Sequence, residues 1–130
     1  ERAGVLDRVV FTGPRSFEEL PRLFACMSIV TALSRNEGFG LTVLEAMSSA
    51  KAVIASRAGA WPDILTHEED GLLVDIGDVP GTEAALERLV TDNDLRSRLA
   101  ANGRRTVLDR YSVDTEAQAL LEHYRAITQG

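Results

Sequence analysis

The 130-residue chain contains one cysteine, one lysine, one tryptophan, two histidines and four prolines, and only 5% of it is aromatic. Each scarcity excludes something. A lone Cys26 cannot close an internal disulfide, and its apolar helical setting predicts a buried, inert thiol. His67 and His123 stand apart, with no cysteine, histidine or carboxylate at ligand spacing, so no metal site is expected. Lys51 alone gives no context for pyridoxal phosphate. No apolar run is long enough to cross a bilayer and there is no signal-peptide pattern, which makes the cytoplasm the expected compartment. A net charge of −6 argues against nucleic acid or anionic lipid as the main surface partner, since both want clustered basic residues. Repeats, low-complexity tracts and linkers are also lacking, so residues 1–130 read as a single domain. Its shares of 45% apolar and 26% charged residues are those of an ordinary globular protein.

What is present is an alternation of strand and helix patterns. Glu1-Arg2-Ala3-Gly4 reads as a last helical turn capped by Gly4, so the sequence is expected to begin in mid-structure. Arg8 to Thr12 has the β-branched and aromatic run of a strand, closed by Gly13-Pro14. Ser16 then starts a short helix with Pro21 in its first turn and Leu20, Leu23, Phe24 and Met27 on its apolar face. Ser28 to Leu33 reads as a second strand, apolar on both faces as a helix-covered strand must be. A helix over about 40–49 follows, with Leu41, Val43, Leu44 and Met47 on the buried side and Glu45 near that stripe. Ala52 to Ser56 and Gly71 to Val74 supply two more strands, separated by a 59–63 loop and a short helix entered through Pro62. Three helices complete the chain, capped by Thr82, by Asp92 or Asn93, and by Ser112, with Gly103 weakening the middle one. This order predicts an α/β fold, a Rossmann-like parallel sheet with helices on both faces and a helical C-terminal end. Ligands bind such sheets at the C-terminal ends of the strands.

The loop delivered to that edge is Asn36-Glu37-Gly38-Phe39-Gly40, directly before Leu41-Thr42-Val43-Leu44-Glu45-Ala46-Met47. Gly38 and Gly40 allow positive φ and close approach of a ligand to the main chain. The first N–H groups of the following helix are unpaired and lie at its positive end, which favours an anion. Glu37 and Glu45 bracket this cradle with seven residues between them, about 12 Å apart at the helical rise. That is too far to share a proton. It suits two carboxylates that hydrogen-bond hydroxyls at the two ends of a nucleotide sugar, with the phosphates between them.

These residues resemble the E-x7-E motif of retaining, nucleotide-sugar-dependent glycosyltransferases with two facing Rossmann-like domains, the GT-B fold of glycosyltransferase family 4, group 1. The resemblance runs from Arg8-Val9-Val10-Phe11 and Gly13, through Ala52 to Ser56 and Gly59-Ala60-Trp61-Pro62-Asp63, to Asp70-Gly71-Leu72-Leu73-Val74. The family more often has Pro where Leu33 stands, Gly-Gly at Gly59-Ala60 and Glu at Asp63.

The resemblance implies that residues 1–130 are part of a C-terminal, donor-binding domain, and that the complete protein is a hexosyltransferase needing no metal or other cofactor. Glu37 would be the catalytic residue at the transferred sugar, and Glu45 would hold the ribose. The backbone N–H groups of Gly38, Phe39, Gly40, Leu41 and Thr42 would hold the phosphates, with the Phe39 ring packed away. Arg15 and Ser16 would meet the nucleobase, and Ser34 would either bind the donor or hold the loop. An Arg and a Lys of the family's phosphate site would lie upstream of Glu1. The acceptor, a sugar or glycolipid, would bind a separate N-terminal domain, so this chain alone is expected to be inactive and to self-associate. The wording from Arg35 to Thr42 looks most like bacterial enzymes of lipopolysaccharide or exopolysaccharide synthesis, often mannosyltransferases, peripheral at the inner membrane. Alternatives are a donor-binding subunit of a split glycosyltransferase, which a co-purifying partner chain would reveal, and a sugar-nucleotide epimerase, which would need no acceptor.

Overall fold

The computed structural model describes residues 4–128, so the helical turn expected at Glu1 to Ala3 lies outside the described residues. Three parallel strands, β1 (Ile29–Ala32), β2 (Ala52–Ser56) and β3 (Leu72–Val74), form one sheet in the order β1-β2-β3. Ile29 pairs with Ala52 and Ile54 with Leu72. The connections run through α2 (Leu41–Ser48) and the short α3 (Trp61–Ile64), and α1 (Leu20–Ala25) precedes β1. α4 (Val79–Thr91), α5 (Asn93–Arg110) and α6 (Val113–Thr128) follow the sheet.

Strand periodicity divides the core in two. Val30, Ala32, Val53, Ala55 and Leu73 point to one face, where they meet Phe24, Val43, Met47, Trp61 and Ile64. Ala52, Ile54, Leu72 and Val74 point to the other, against Ala85 and Leu89 of α4 and Leu95 and Leu99 of α5. α5 reaches both, because Val107 near its end joins the first cluster. Helices therefore cover both faces, and the alternation of strand and helix is the doubly covered parallel arrangement expected of it. Gly103 does not interrupt α5. It lies where α5 crosses α2, and an added Cβ would come within 3.0 Å of the Asp70 carbonyl and 3.4 Å of Met47 Cγ.

Several local expectations are corrected. Arg8 to Thr12 is not a strand: a 3-10 turn covers Leu6–Arg8, and Val10 and Phe11 beyond it are 83% and 86% exposed. Its β-branched and aromatic residues favour extended backbone, but a strand also needs a ladder, and no neighbour in the described sheet provides one. β1 is an edge strand whose Thr31 is exposed, because α4 and α5 centre on β2 and β3. Cys26 is exposed rather than buried. It follows the last turn of α1, two residues past the buried Phe24 and so on the opposite side.

Leu41 is exposed as well. The buried stripe of α2 is Val43, Leu44, Ala46 and Met47, and Leu41 lies on the far side together with Glu45, four residues on. The cap of α4 is Asp78, whose Oδ1 accepts from Gly81 N at 2.9 Å, while Thr82 turns its hydroxyl back to the Asp78 carbonyl at 2.7 Å. Val79 and Pro80 can begin the helix earlier because a proline in the first turn lacks only an N–H that has no intrahelical partner there. α1 likewise starts at Leu20, four residues after Ser16, with Pro21 in its first turn as expected. Asp92 and Ser112 do cap α5 and α6, accepting from Leu95 N at 2.8 Å and Thr115 N at 3.1 Å.

Candidate functional site

β1 ends at Ala32, and residues 33–40 carry the chain from the C-terminal edge of the sheet into α2. Gly40 is the N-cap residue of α2, with φ +85° and no side-chain hydrogen bond to close the helix start. Ser, Thr, Asp or Asn at this place would occupy one of the free N–H groups. Glycine leaves them to a ligand, at the positive end of the helix dipole. Only one of the two loop glycines uses the left-handed region: Gly40 does and Gly38 does not. Gly38 contributes room instead, with nothing within 4 Å of an added Cβ.

The two glutamates sit differently. Glu37 is half-buried, and its Oε1 accepts from Gly38 N at 3.0 Å. Gly59 presses against it from the next loop, since a Cβ there, at φ +53°, would lie 2.0 Å from the Glu37 carbonyl oxygen. Glu45 is half-buried on the outer face of α2, and among the described residues no hydrogen bond or ion pair engages its carboxylate. Both acids therefore remain available to hydroxyl donors.

Ser34 is half-buried and serves the loop through its carbonyl, which accepts from Ser56 Oγ at 2.6 Å. Ser56, nearly fully buried at the end of β2, was not among the expected site residues. A polar residue closing the otherwise apolar Ala52 to Ala55 was the signal for it. Phe39 is exposed, not packed, as are Leu41 and Thr42. Arg15 Nη1 lies 3.3 Å from Glu19 Oε1, and Ser16 N donates to Glu19 Oε2 at 2.9 Å, so both are engaged at the approach to α1. The strand on which their placement depended is not in the sheet.

A cavity of about 890 Å3 opens beside the loop, lined by Leu33, Arg35, Ser56, Asp78, Thr82 and Leu86 among others. Neither Glu37 nor Glu45 lines it. Leu33 continues the alternation of Ile29 and Thr31, so this cavity belongs to the α4 side of the sheet, whereas the start of α2 lies on the other side. Trp61, at the start of α3, closes the α2 side from beneath and is 1% exposed. His67 is structural: its Nδ1 accepts from Leu73 N at 2.9 Å. Among the described residues no three His, Cys, Asp or Glu side chains gather as a metal would require, and no helix is long and apolar enough to cross a membrane.

The family model of Glycosyl transferases group 1 matches residues 1–106. The chain is 34% identical over 128 residues to the lipopolysaccharide core biosynthesis mannosyltransferase LpcC of Rhizobium leguminosarum bv. viciae, covering 96% of this chain and 35% of that protein. It is 35% identical over 127 residues to a D-inositol 3-phosphate glycosyltransferase of Corynebacterium urealyticum, covering 98% and 30%. The chain thus spans about a third of the length of these curated relatives. Among solved structures, the C-terminal domain of a group 1 glycosyl transferase (LpcC) from Francisella tularensis aligns at TM-score 0.73 and 38% identity, over 81% of this chain and 53% of that one. Anabaena HepE in complex with UDP aligns at TM-score 0.89 and 28% identity, over 96% and 34%.

Proposed function

Since the chain belongs to the Glycosyl transferases group 1 family, we propose that it binds the nucleoside diphosphate sugar of a hexosyl transfer, with the diphosphate at the N-terminus of α2. The observation that carries this reading is the glycine-capped start of α2, open at the C-terminal edge of a parallel sheet and bracketed by two half-buried glutamates, Glu45 with no partner among the described residues and Glu37 with only Gly38 N, so that both can accept from hydroxyls. HepE, solved with UDP, with UDP and glucose, and with UDP-glucose, shares this fold at 28% identity, which supports a donor of that class.

Departure of the nucleotide is the demanding step. As the bond between the anomeric carbon and the diphosphate oxygen breaks, negative charge grows on the leaving oxygen, and preorganised N–H groups stabilise it without reorganising. Leu41 and Thr42 at the start of α2 supply such groups, and exposed Phe39 lends its backbone rather than its ring. Glu45 receives the ribose hydroxyls. Glu37, held by Gly38 N and braced by Gly59, faces the sugar and fixes its orientation. No metal is needed in this scheme, because the helix terminus takes the charge. The transfer proceeds with retention, the hexose is mannose by likeness to the LpcC enzymes, and the product enters a lipopolysaccharide or related polysaccharide at the cytoplasmic side of the inner membrane.

Calorimetric titration with nucleoside diphosphates and their sugars tests the reading. Binding of at least one diphosphate, weakened by Glu45→Ala, is expected. Failure of every diphosphate to bind the folded chain would sink it.

A further inference from the structure

One buried side-chain polar atom among the described residues lacks a hydrogen-bond partner, the indole Nε1 of Trp61. Such atoms are few in native proteins, because a buried donor without an acceptor forfeits its hydration. Its location is specific. A Cβ built on Gly40 would lie 2.0 Å from Nε1 and 2.4 Å from Cδ1, so the N–H edge of the indole, and not its six-membered ring, faces the Gly40 turn. Gly40 is the uncapped start of α2. Two kinds of unpaired donor, the first N–H groups of the helix and the indole N–H, therefore converge on one turn.

We infer that Trp61 is a binding residue of the diphosphate site: a bound nucleoside diphosphate draws the Gly40 turn off the indole edge and gives its N–H the acceptor it lacks. This rests on the donor-site reading above. The indole nitrogen is closed to solvent, so an acceptor reaches it only through a shift of the turn, and glycine at φ +85° has the conformational freedom for that shift. The loop that leads into Trp61 carries Gly59 against the Glu37 carbonyl. Glu37 lies three residues before Gly40 in the loop that shifts, which couples diphosphate occupancy to the position of the glutamate that faces the sugar.

The chain has a single tryptophan, so a 15N-labelled sample gives one indole N–H resonance. It is titrated with uridine diphosphate and with guanosine diphosphate, and the same solutions are followed by calorimetry. The expected result is a downfield move of the indole proton with the midpoint of the calorimetric binding curve, together with roughly ten- to hundredfold weaker binding by Trp61→Phe, the loss of one hydrogen bond to a charged group. An indole resonance that stays put or moves upfield while calorimetry reports binding overturns the inference alone, as does a folded Phe variant with wild-type affinity. If neither diphosphate binds the wild-type chain, the donor-site reading fails and this inference with it. Should the Phe variant not fold, the wild-type titration decides by itself.

Discussion

Gly40 and Trp61 compete for one volume: a methyl group on residue 40 would sit 2.0 Å from the indole nitrogen. Gly40→Ala therefore meets two penalties. The left-handed φ of +85° strains an L residue by about 1–2 kcal/mol, and overpacking against a buried indole adds about 1–3 kcal/mol. Trp61→Ala removes the second and leaves the first. Urea denaturation of the two single variants and the double variant should show the double to be less destabilised than the sum of the singles. Strict additivity would mean that the turn absorbs the methyl without touching the indole.

The two glutamates should separate by assay. Glu45→Ala is expected to weaken nucleoside diphosphate binding by about 1.5–3 kcal/mol, the range for hydrogen bonds to a charged group. Glu37→Gln in the complete enzyme should lower turnover with diphosphate affinity nearly intact. Steady-state kinetics alongside calorimetry distinguish them. A Glu37 variant that chiefly loses nucleotide binding would exchange the two roles.

Much of this arrangement is legible in the sequence because local rules agree there. Val43, Leu44, Ala46 and Met47 repeat at helical spacing, Ala52 to Ala55 is a short apolar run, and the glycines stand where the loop meets the helix, so α2, β2 and the glycine turn between loop and helix follow. The misses depend on contacts that no local pattern encodes. Val9 to Thr12 carries strand propensity but has no ladder in the described sheet. Thr82 looks like a cap, yet Asp78 precedes Val79-Pro80 and wins because the proline needs no N–H partner. Leu41 is apolar and still exposed, since its side of α2 faces away from the sheet. Ser56 matters through a hydrogen bond to Ser34, 22 residues away, and Trp61 through a glycine 21 positions earlier, relationships visible only once the strands are side by side.

Acid should weaken one link between the β3 approach and α4. Arg88 Nη2 donates to Glu68 Oε2 at 3.0 Å, and this hydrogen bond, aided by the charges of Arg88 and Arg98, holds the Glu68 carboxyl below its ordinary value. A carboxylate with a folded-state pKa below the unfolded one contributes stability that is complete above the unfolded value of 4.5 and is lost as pH falls through the folded value. Both side chains are about half exposed, so the contribution stays below about 1 kcal/mol. Glu68→Gln should flatten the acid limb of a stability-against-pH curve and change little at neutral pH. An unaltered acid limb would show that the pair contributes nothing in solution.

Asp70 should be more costly to lose. It is 5% exposed, with Oδ1 accepting from Thr66 N at 2.7 Å and Oδ2 from Thr106 Oγ1 at 2.8 Å, so one carboxylate ties the turn before β3 to α5. Asp70→Ala leaves both donors unpaired in a closed setting and should cost about 2–4 kcal/mol in denaturant unfolding. Thr106→Val, which removes only one donor, should cost less than half as much. Equal losses would mean that the Thr66 contact is idle.

The open edge of β1 leads to a prediction about association. β1 ends the sheet, Thr31 is exposed on the face that α4 leaves uncovered, and Leu33, Val79 and Val90, all exposed, surround the neighbouring cavity. An unpaired strand edge beside apolar surface is a template for pairing with another chain. We therefore propose that the 130-residue chain self-associates through β1 as its concentration rises. Charge on an edge strand opposes such pairing, because a second strand would have to bury it. Thr31→Lys combined with Leu33→Lys places two charges beside that edge without touching the buried Val30 and Ala32. Sedimentation velocity over a concentration series should show the wild-type chain gaining mass and the double variant remaining monomeric. If both associate equally, the contact lies elsewhere, with the exposed Leu120, Tyr124 and Ile127 of α6 as the next surface to charge. A wild-type chain that stays monomeric at every concentration would remove the edge argument altogether.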